Sequence, residues 1–249
     1  MYVRSKKNVL SVFFKKQFYV AFVNIFRYFL EPFDVLLRYV FRKGSYPKDC
    51  FVKTPTGIQK VSLYCSDDMM TFVECFGKLD YRVPTDISCV VDFGSNIGIS
   101  ALYFLTRNPK VHIYLYEPLP ANIDKLKKNL RGYENRYELN AVAVGLENGT
   151  GLFSHEPTGR YGGLYKSTMK SQIEVPVQCA KEIVRDILKK HQKIDILKID
   201  VEGLENDIIN DLEIDLFDGI DRIYAETHFE GELPGFKKEQ YGEIVRFYK

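Results

Sequence analysis

Apolar and polar positions follow two different rhythms along this chain. From Ile87 to His228, short apolar runs alternate with stretches whose apolar residues recur at helical spacing. The runs "ISCVVDF" (87–93), "VHIYLYEP" (111–118), "YELNAVAVG" (137–145), "KIDILKID" (193–200) and "GIDRIYAETH" (219–228) read as five strands. Helical periodicity covers 97–107, 120–131, 180–190 and "GLENDIINDL" (203–212). "GLFSH" (151–155) and "QIEVPVQ" (172–178) read as a hairpin inserted before the third of these helices. Strand–helix alternation of this kind predicts an α/β fold, a mostly parallel sheet with helices on both faces.

The first 48 residues behave differently. "VFFKKQFYVAFVNIFRYFLEPFDVLLRYVFRK" (12–43) has no glycine, and its helical periodicity breaks at Glu31-Pro32, which predicts two amphipathic helices. Its longest uncharged stretch, Gln17 to Phe26, is about half the length of a membrane-spanning helix. Charges recur throughout and no small-residue cleavage site follows, so a signal peptide fits poorly. Residues 49–86 then supply a hairpin around Thr54-Pro55-Thr56-Gly57 and a helix opening near Asp67 or Asp68. Three regions are thus expected: 1–48, 49–86 and a catalytic domain over 87–249.

Composition changes this picture in two respects. The net charge of +2 conceals nine Lys/Arg against Glu31 and Asp34 within residues 1–43, which leaves the remainder net acidic. That segment is suited to pack on the catalytic body, to join a second copy of the chain, or to lie on an anionic membrane. The acidic remainder argues against nucleic acid as a substrate. Five cysteines without a C-x-x-C pair, and four histidines without ligand spacing to them, predict reduced thiols in a cytoplasmic protein and no zinc site.

Candidate chemistry concentrates where strands end. "CVVDFGSNIGIS" (89–100) closes an apolar strand with Asp92, turns through Gly94, Ser95, Asn96 and Gly98, and enters a helix. In doubly wound sheets, ligands bind beyond the carboxyl ends of the strands. A dinucleotide site would have glycine where Asn96 stands, and Asp92 would repel a pyrophosphate. An acid there suits an ammonium or sulfonium group, while Glu117, at the end of the next strand, suits ribose hydroxyls. The pair suggests S-adenosylmethionine. The plainer alternatives are a helix cap for Asp92 and a solvated strand end for Glu117.

"VVDFGSNIGISALYF" (90–104), "YLYEPLPANIDKLKKNL" (114–130), "ELNAVAVG" (138–145), "DILKIDVEGLENDII" (195–209) and "IYAETH" (223–228) together resemble the FkbM family of class I S-adenosylmethionine-dependent methyltransferases. The resemblance implies a seven-stranded Rossmann-like sheet and O-methylation, often of sugar hydroxyls. It implies that Asp92, Gly94, Ser95, Asn96 and Gly98 surround the methionine end of the cofactor, Glu117 the ribose, and Asn140 and Ala141 the adenine. Ser95 stands where the family often has alanine. Only 21 residues follow His228, room for one helix or a short strand, so a sheet shortened at its C-terminal side is expected.

Methyl transfer to a hydroxyl requires an aligned acceptor and removal of its proton. Strand alternation puts Lys198, Asp200 and Glu202 on one side, and Glu226 and His228 end the fifth strand. Two chemistries fit. His228 or Asp200 takes the proton directly, or Asp200, Glu202 and Glu226 hold a divalent cation. The first is preferred, because no ligand set is legible. Bland roles also exist: a charge partner of Asp200 for Lys198, and helix-start electrostatics for Glu202. "HEPTGRYGGLYKST" (155–168), with Arg160, Tyr161 and Tyr165, reads as a surface loop or a lid over a sugar. The expected function is an O-methyltransferase acting on a saccharide or glycolipid precursor, in the cytoplasm or at the inner face of a membrane. A non-catalytic scaffold with the same fold in a glycan-assembly complex is the rival.

Overall fold

The computed structural model describes residues 16–156, 162–164 and 171–249, and the chain falls into two compact units, residues 1–82 and 83–249. In the first unit, α1 (Lys16–Tyr28) and α2 (Pro32–Phe41) are separated at Glu31, with Pro32 in the first helical turn. The hairpin β1 (Lys48–Thr54) and β2 (Gly57–Leu63) follows, in register from Lys48 opposite Leu63 to Thr54 opposite Gly57. Helix α3 (Ser66–Val73) runs into a π-helical turn, Glu74–Lys78. The Asp68 carboxylate accepts the backbone N–H groups of Tyr64 and Cys65 at 2.6 and 3.1 Å, so Asp68 braces the start of α3. Ala21, Ile25, Phe29, Val52, Val61 and Phe72 are buried in this unit, and the Phe29 and Phe72 rings meet edge-on.

The second unit contains, in chain order, β3 (Cys89–Phe93), α4 (Ile99–Leu105), β4 (His112–Tyr116), α5 (Pro120–Asn129), β5 (Tyr137–Asn140) and β6 (Ala143–Gly145). Then come β7 (Gly149–His155), β8 (Gly162–Leu164), β9 (Ser171–Cys179), α6 (Ala180–His191), β10 (Ile196–Ile199), α7 (Glu205–Asp211), α8 (Ile214–Asp218), β11 (Arg222–Ala225), β12 (Lys237–Tyr241) and β13 (Ile244–Tyr248). Seven strands form one sheet in the order β12-β13-β11-β10-β3-β4-β5. The five from β5 to β11 are mutually parallel, whereas β13 runs antiparallel to β11 and β12 to β13. Every residue of β3 and β10 is buried, which is why both read as apolar runs interrupted only by Asp92 and Lys198. On one face Val91, Leu197 and Ile223 pack with Ile183 of α6, Ile208 of α7 and Leu216 of α8. The alternate positions, among them Asp92 and Lys198, face the side on which α4 contacts β3 and β4.

Two expectations are corrected. "YELNAVAVG" is not one strand: β5 pairs with β4, but β6 joins a separate four-stranded sheet of order β6-β9-β7-β8. The break falls where the Glu117 N–H donates to the Asn140 carbonyl and the β4–β5 ladder ends. Nor is the large sheet shortened. A full terminal hairpin is present because its turn needs only two residues, Gly242 and Glu243, with Gly242 at a φ of +69°. All five cysteines are free thiols. Arg160, Tyr161 and Tyr165, considered above for a lid, lie outside the described residues, as do residues 1–15.

Candidate functional site

Local sequence builds the site at the carboxyl edge of the large sheet. Leaving β3, Gly94 has φ +80°, and a side chain on it would collide with the Asp200 carbonyl. The loop is therefore pressed against the end of β10, a packing that only glycine permits. The N–H groups of Gly94 and Ser95 both donate to the Tyr116 carbonyl at 3.0 Å, which ties the loop to β4 as well. Asn96 follows in a left-handed conformation, φ 48°, and its N–H donates to Glu117 Oε2 at 2.9 Å. Glu117 Oε1 accepts from the Leu119 N–H at 2.9 Å and from Asn122 Nδ2 at 3.2 Å.

These groups border an open cleft, a space of about 540 Å³ when its solvent-filled mouth is counted. Gly94, Asn96, Glu117, Asp200 and Glu202 all line it. The small sheet contributes Phe153, Gly162 and Leu164. Burial pushes the Glu117 carboxyl up to about 7 against the pull of its three protein donors. An enclosed carboxylate with acceptor capacity left over is a site for further hydroxyl donors.

Beneath the cleft lies a buried charge cluster. Lys198, 2% exposed, donates to Asp92 Oδ1 at 2.9 Å and to the Gly94 carbonyl at 3.0 Å, and stands 3.3 Å from Asp200 Oδ2. Burial alone would lower the Lys198 pKa, but the charges of Asp92 and Asp200 overcome it and hold the ammonium above its usual range. The other oxygen of Asp92 accepts from Ser100 Oγ of α4 at 2.7 Å.

The profile of the Methyltransferase FkbM domain matches residues 92–248. The chain belongs to the FkbM methyltransferase family. Among curated relatives, Methyltransferase 1 of Beauveria bassiana (strain ARSEF 2860) is 24% identical over 162 residues, covering 57% of this chain. Methyltransferase sdnD of Sordaria araneosa is 24% identical over 169 residues, covering 55% of this chain. The match spans 65% of the length of each of these relatives. The crystal structure of Methyltransferase FkbM from Methylobacillus flagellatus KT is 13% identical, with a TM-score of 0.44 over 74% of this chain and 54% of that one.

In this FkbM domain the expected site residues separate into three groups. Gly94, Asn96, Glu117, Asp200 and Glu202 come together around the cleft. Asp92, Ser95, Gly98 and Lys198 are not among the residues that line it. Asp92 is wholly enclosed by Lys198 and Ser100. Ser95 Oγ bridges the Asp92 carbonyl and the Tyr116 N–H, and Gly98, at φ +82°, brings the start of α4 against Leu126 of α5. The third group lies elsewhere. Asn140 borders a different groove beside β5, and Ala141 is exposed. Glu226 and His228 are exposed and outside the cleft lining, the His228 imidazole standing 3.7 Å from Glu243. Among the described residues, no group of three or more His, Cys, Asp or Glu side chains is placed to hold a metal ion.

Sequence reasoning missed several contributors. Val142, Ala143 and Val144 line the cleft directly after the positions chosen for adenine. Asn122 was legible in principle, as a polar residue in the first turn of the helix after Glu117. Glu205 accepts the Val201 and Gly203 N–H groups at 3.0 and 2.9 Å, and so shapes the turn carrying Asp200 and Glu202. Glu202 itself has φ 66°, an uncommon conformation for a non-glycine residue, of the kind that gathers at functional sites. Gly162 and Leu164 lie within the 155–168 segment read as a surface loop or lid, whereas Phe153 had no local signal; all three line the cleft, in strands of the small sheet.

Proposed function

We propose that this chain is an S-adenosylmethionine-dependent O-methyltransferase whose acceptor is a hydroxyl of a saccharide or glycolipid precursor. The observation that carries the reading is that Glu117 and Asp200 border one cleft and both meet the Gly94–Asn96 turn, Glu117 through the Asn96 N–H and Asp200 through its carbonyl against Gly94. Glu117 offers a buried acceptor for ribose hydroxyls, and the glycine turn allows close backbone approach beside it. The residues present therefore fit this cofactor, which supplies an electrophilic methyl group when bound.

The chain's own residues supply binding and proton management. Glu117, fixed by Asn96, Leu119 and Asn122, accepts hydroxyl donors without having to reorient. Leu119, Ala143 and Val144 give the cleft an apolar side suited to a base. Asp200, whose side chain is 24% exposed, is the carboxylate best placed to accept a proton from an acceptor hydroxyl. Lys198 beside it keeps a positive charge at the edge and fixes the Asp200 side chain. Glu202 extends the acidic wall, which suits a polyhydroxylated acceptor. The sugar assignment also rests on the family's association with glycan O-methylation.

Calorimetric titration with S-adenosylmethionine tests the cofactor, and Glu117→Ala should weaken it tenfold or more. Turnover on a panel of glycans and glycolipids tests the acceptor, with Asp200→Asn expected to abolish transfer while cofactor binding persists. No heat with the wild-type chain at millimolar ligand would favour the scaffold reading instead.

A further inference from the structure

Both N-terminal helices bury one apolar face and present a second. On α1, Ala21 and Ile25 are buried, while Tyr19, Phe22 and Phe26 are exposed at helical spacing. On α2, Val35 and Tyr39 are buried, while Phe33, Leu37 and Phe41 are exposed, Phe33 to 77%. An ordinary surface helix would carry polar residues there. The Phe22, Phe26 and Phe33 rings touch in series, with centroids 5.0 and 5.4 Å apart, so the two helices share one aromatic surface. Contiguous apolar surface of this kind marks an interaction site.

We propose that this face docks on an anionic phospholipid surface. Charge selects the occupant. Arg27, Arg42 and Lys43 are exposed on or directly after these helices, Arg42 at 3.6 Å from Asp67, and residues 1–43 hold nine Lys/Arg against two acids. Aromatic and aliphatic side chains enter the boundary between headgroups and acyl chains, while the basic groups stay at phosphate depth. A protein-binding core would instead be depleted of charge. With 13 and 10 residues, α1 and α2 lie in the plane of the surface, and among the described residues no helix is long and apolar enough to cross a membrane.

Co-sedimentation of the full chain with phosphatidylcholine vesicles, with and without phosphatidylserine, is the test. Binding is expected only with phosphatidylserine, and it should fall when salt rises from ~0.1 to ~1 M and the screening length shrinks. Phe33→Ser with Phe41→Ser, and separately Arg27→Glu with Lys43→Glu, should each reduce partitioning about tenfold or more. Wild-type melting of both double variants confirms intact folding, and the charge variant alone suffices should the apolar one misfold. A chain that stays in the supernatant, or that binds both vesicle types equally, overturns the proposal. So does a concentration-dependent dimer dissolved by the phenylalanine substitutions, which would place a second copy on the face. None of these readouts depends on methyl transfer.

Discussion

Asp92 is the penultimate residue of β3 and Glu117 follows β4, the strand beside it, and both carboxylates are buried. Their surroundings differ. Asp92 is matched by the Lys198 ammonium and the Ser100 hydroxyl, so its acceptor capacity is turned inward. Glu117 has three neutral donors and is among the residues that line the cleft. Burial raises the Glu117 carboxyl to about 7, which means that the ligand-free protein holds this anion at a cost. A paired buried acid braces a fold, whereas an under-compensated one at a cleft is prepared for a ligand that brings its own donors.

The comparison breaks most readily at Asp92. Asp92→Ala leaves Lys198 buried with Asp200 as its remaining anionic partner, and should cost about 3–5 kcal/mol of stability. Chemical denaturation of the wild type and the variant measures this; a loss below about 1 kcal/mol would mean that Asp92 is not a brace.

Glu117→Ala is expected to show the opposite profile, a smaller stability loss and tenfold or weaker S-adenosylmethionine binding, about 1.4 kcal/mol or more. Calorimetry decides, and unchanged affinity would end the comparison.

Proton linkage gives a third test. Hydroxyl donors favour ionised Glu117, so binding should release a proton, and affinity should weaken by up to about tenfold per pH unit as pH falls below about 7. The sign for folding is reversed. Because the folded carboxyl is raised above its ordinary 4.5, its contribution to stability is fully present below that value and is lost as pH rises through about 7. Titrations at several pH values should show the trend in the wild type and not in Glu117→Ala.

The smallest effect is expected at Glu202. Relief of its left-handed strain offsets the added flexibility of glycine, so Glu202→Gly should change stability by no more than about 0.5 kcal/mol. A fall in turnover with the melting temperature unchanged would then report the missing carboxylate rather than a damaged turn.

Much of the fold was legible in the sequence, and the reasons are local. The central strands β3 and β10 announce themselves as largely apolar runs because both faces of the sheet are covered there, and Pro32 separates two helices wherever they pack. The terminal hairpin was hidden because a two-residue turn at Gly242 needs so little chain. The break between Asn140 and Ala143 was hidden because both segments have strand character, and only their partners differ. At the site, Gly94, Asn96 and Glu117 were readable from a strand-turn-helix pattern, but the direction in which Asp92 points was not.

Sequence alone determined the strand–helix alternation from β3 to β11 and placed acids near the ends of β3, β4 and β10, since periodicity and turn chemistry act over a few residues. Tertiary structure decided which acid is paired within the fold and which borders the cleft. Lys198 lies 106 positions from Asp92, and Phe153 and Leu164 reach the cleft only through a second sheet. Ion pairing and burial depend on distances between remote segments, and no local pattern of residues encodes them.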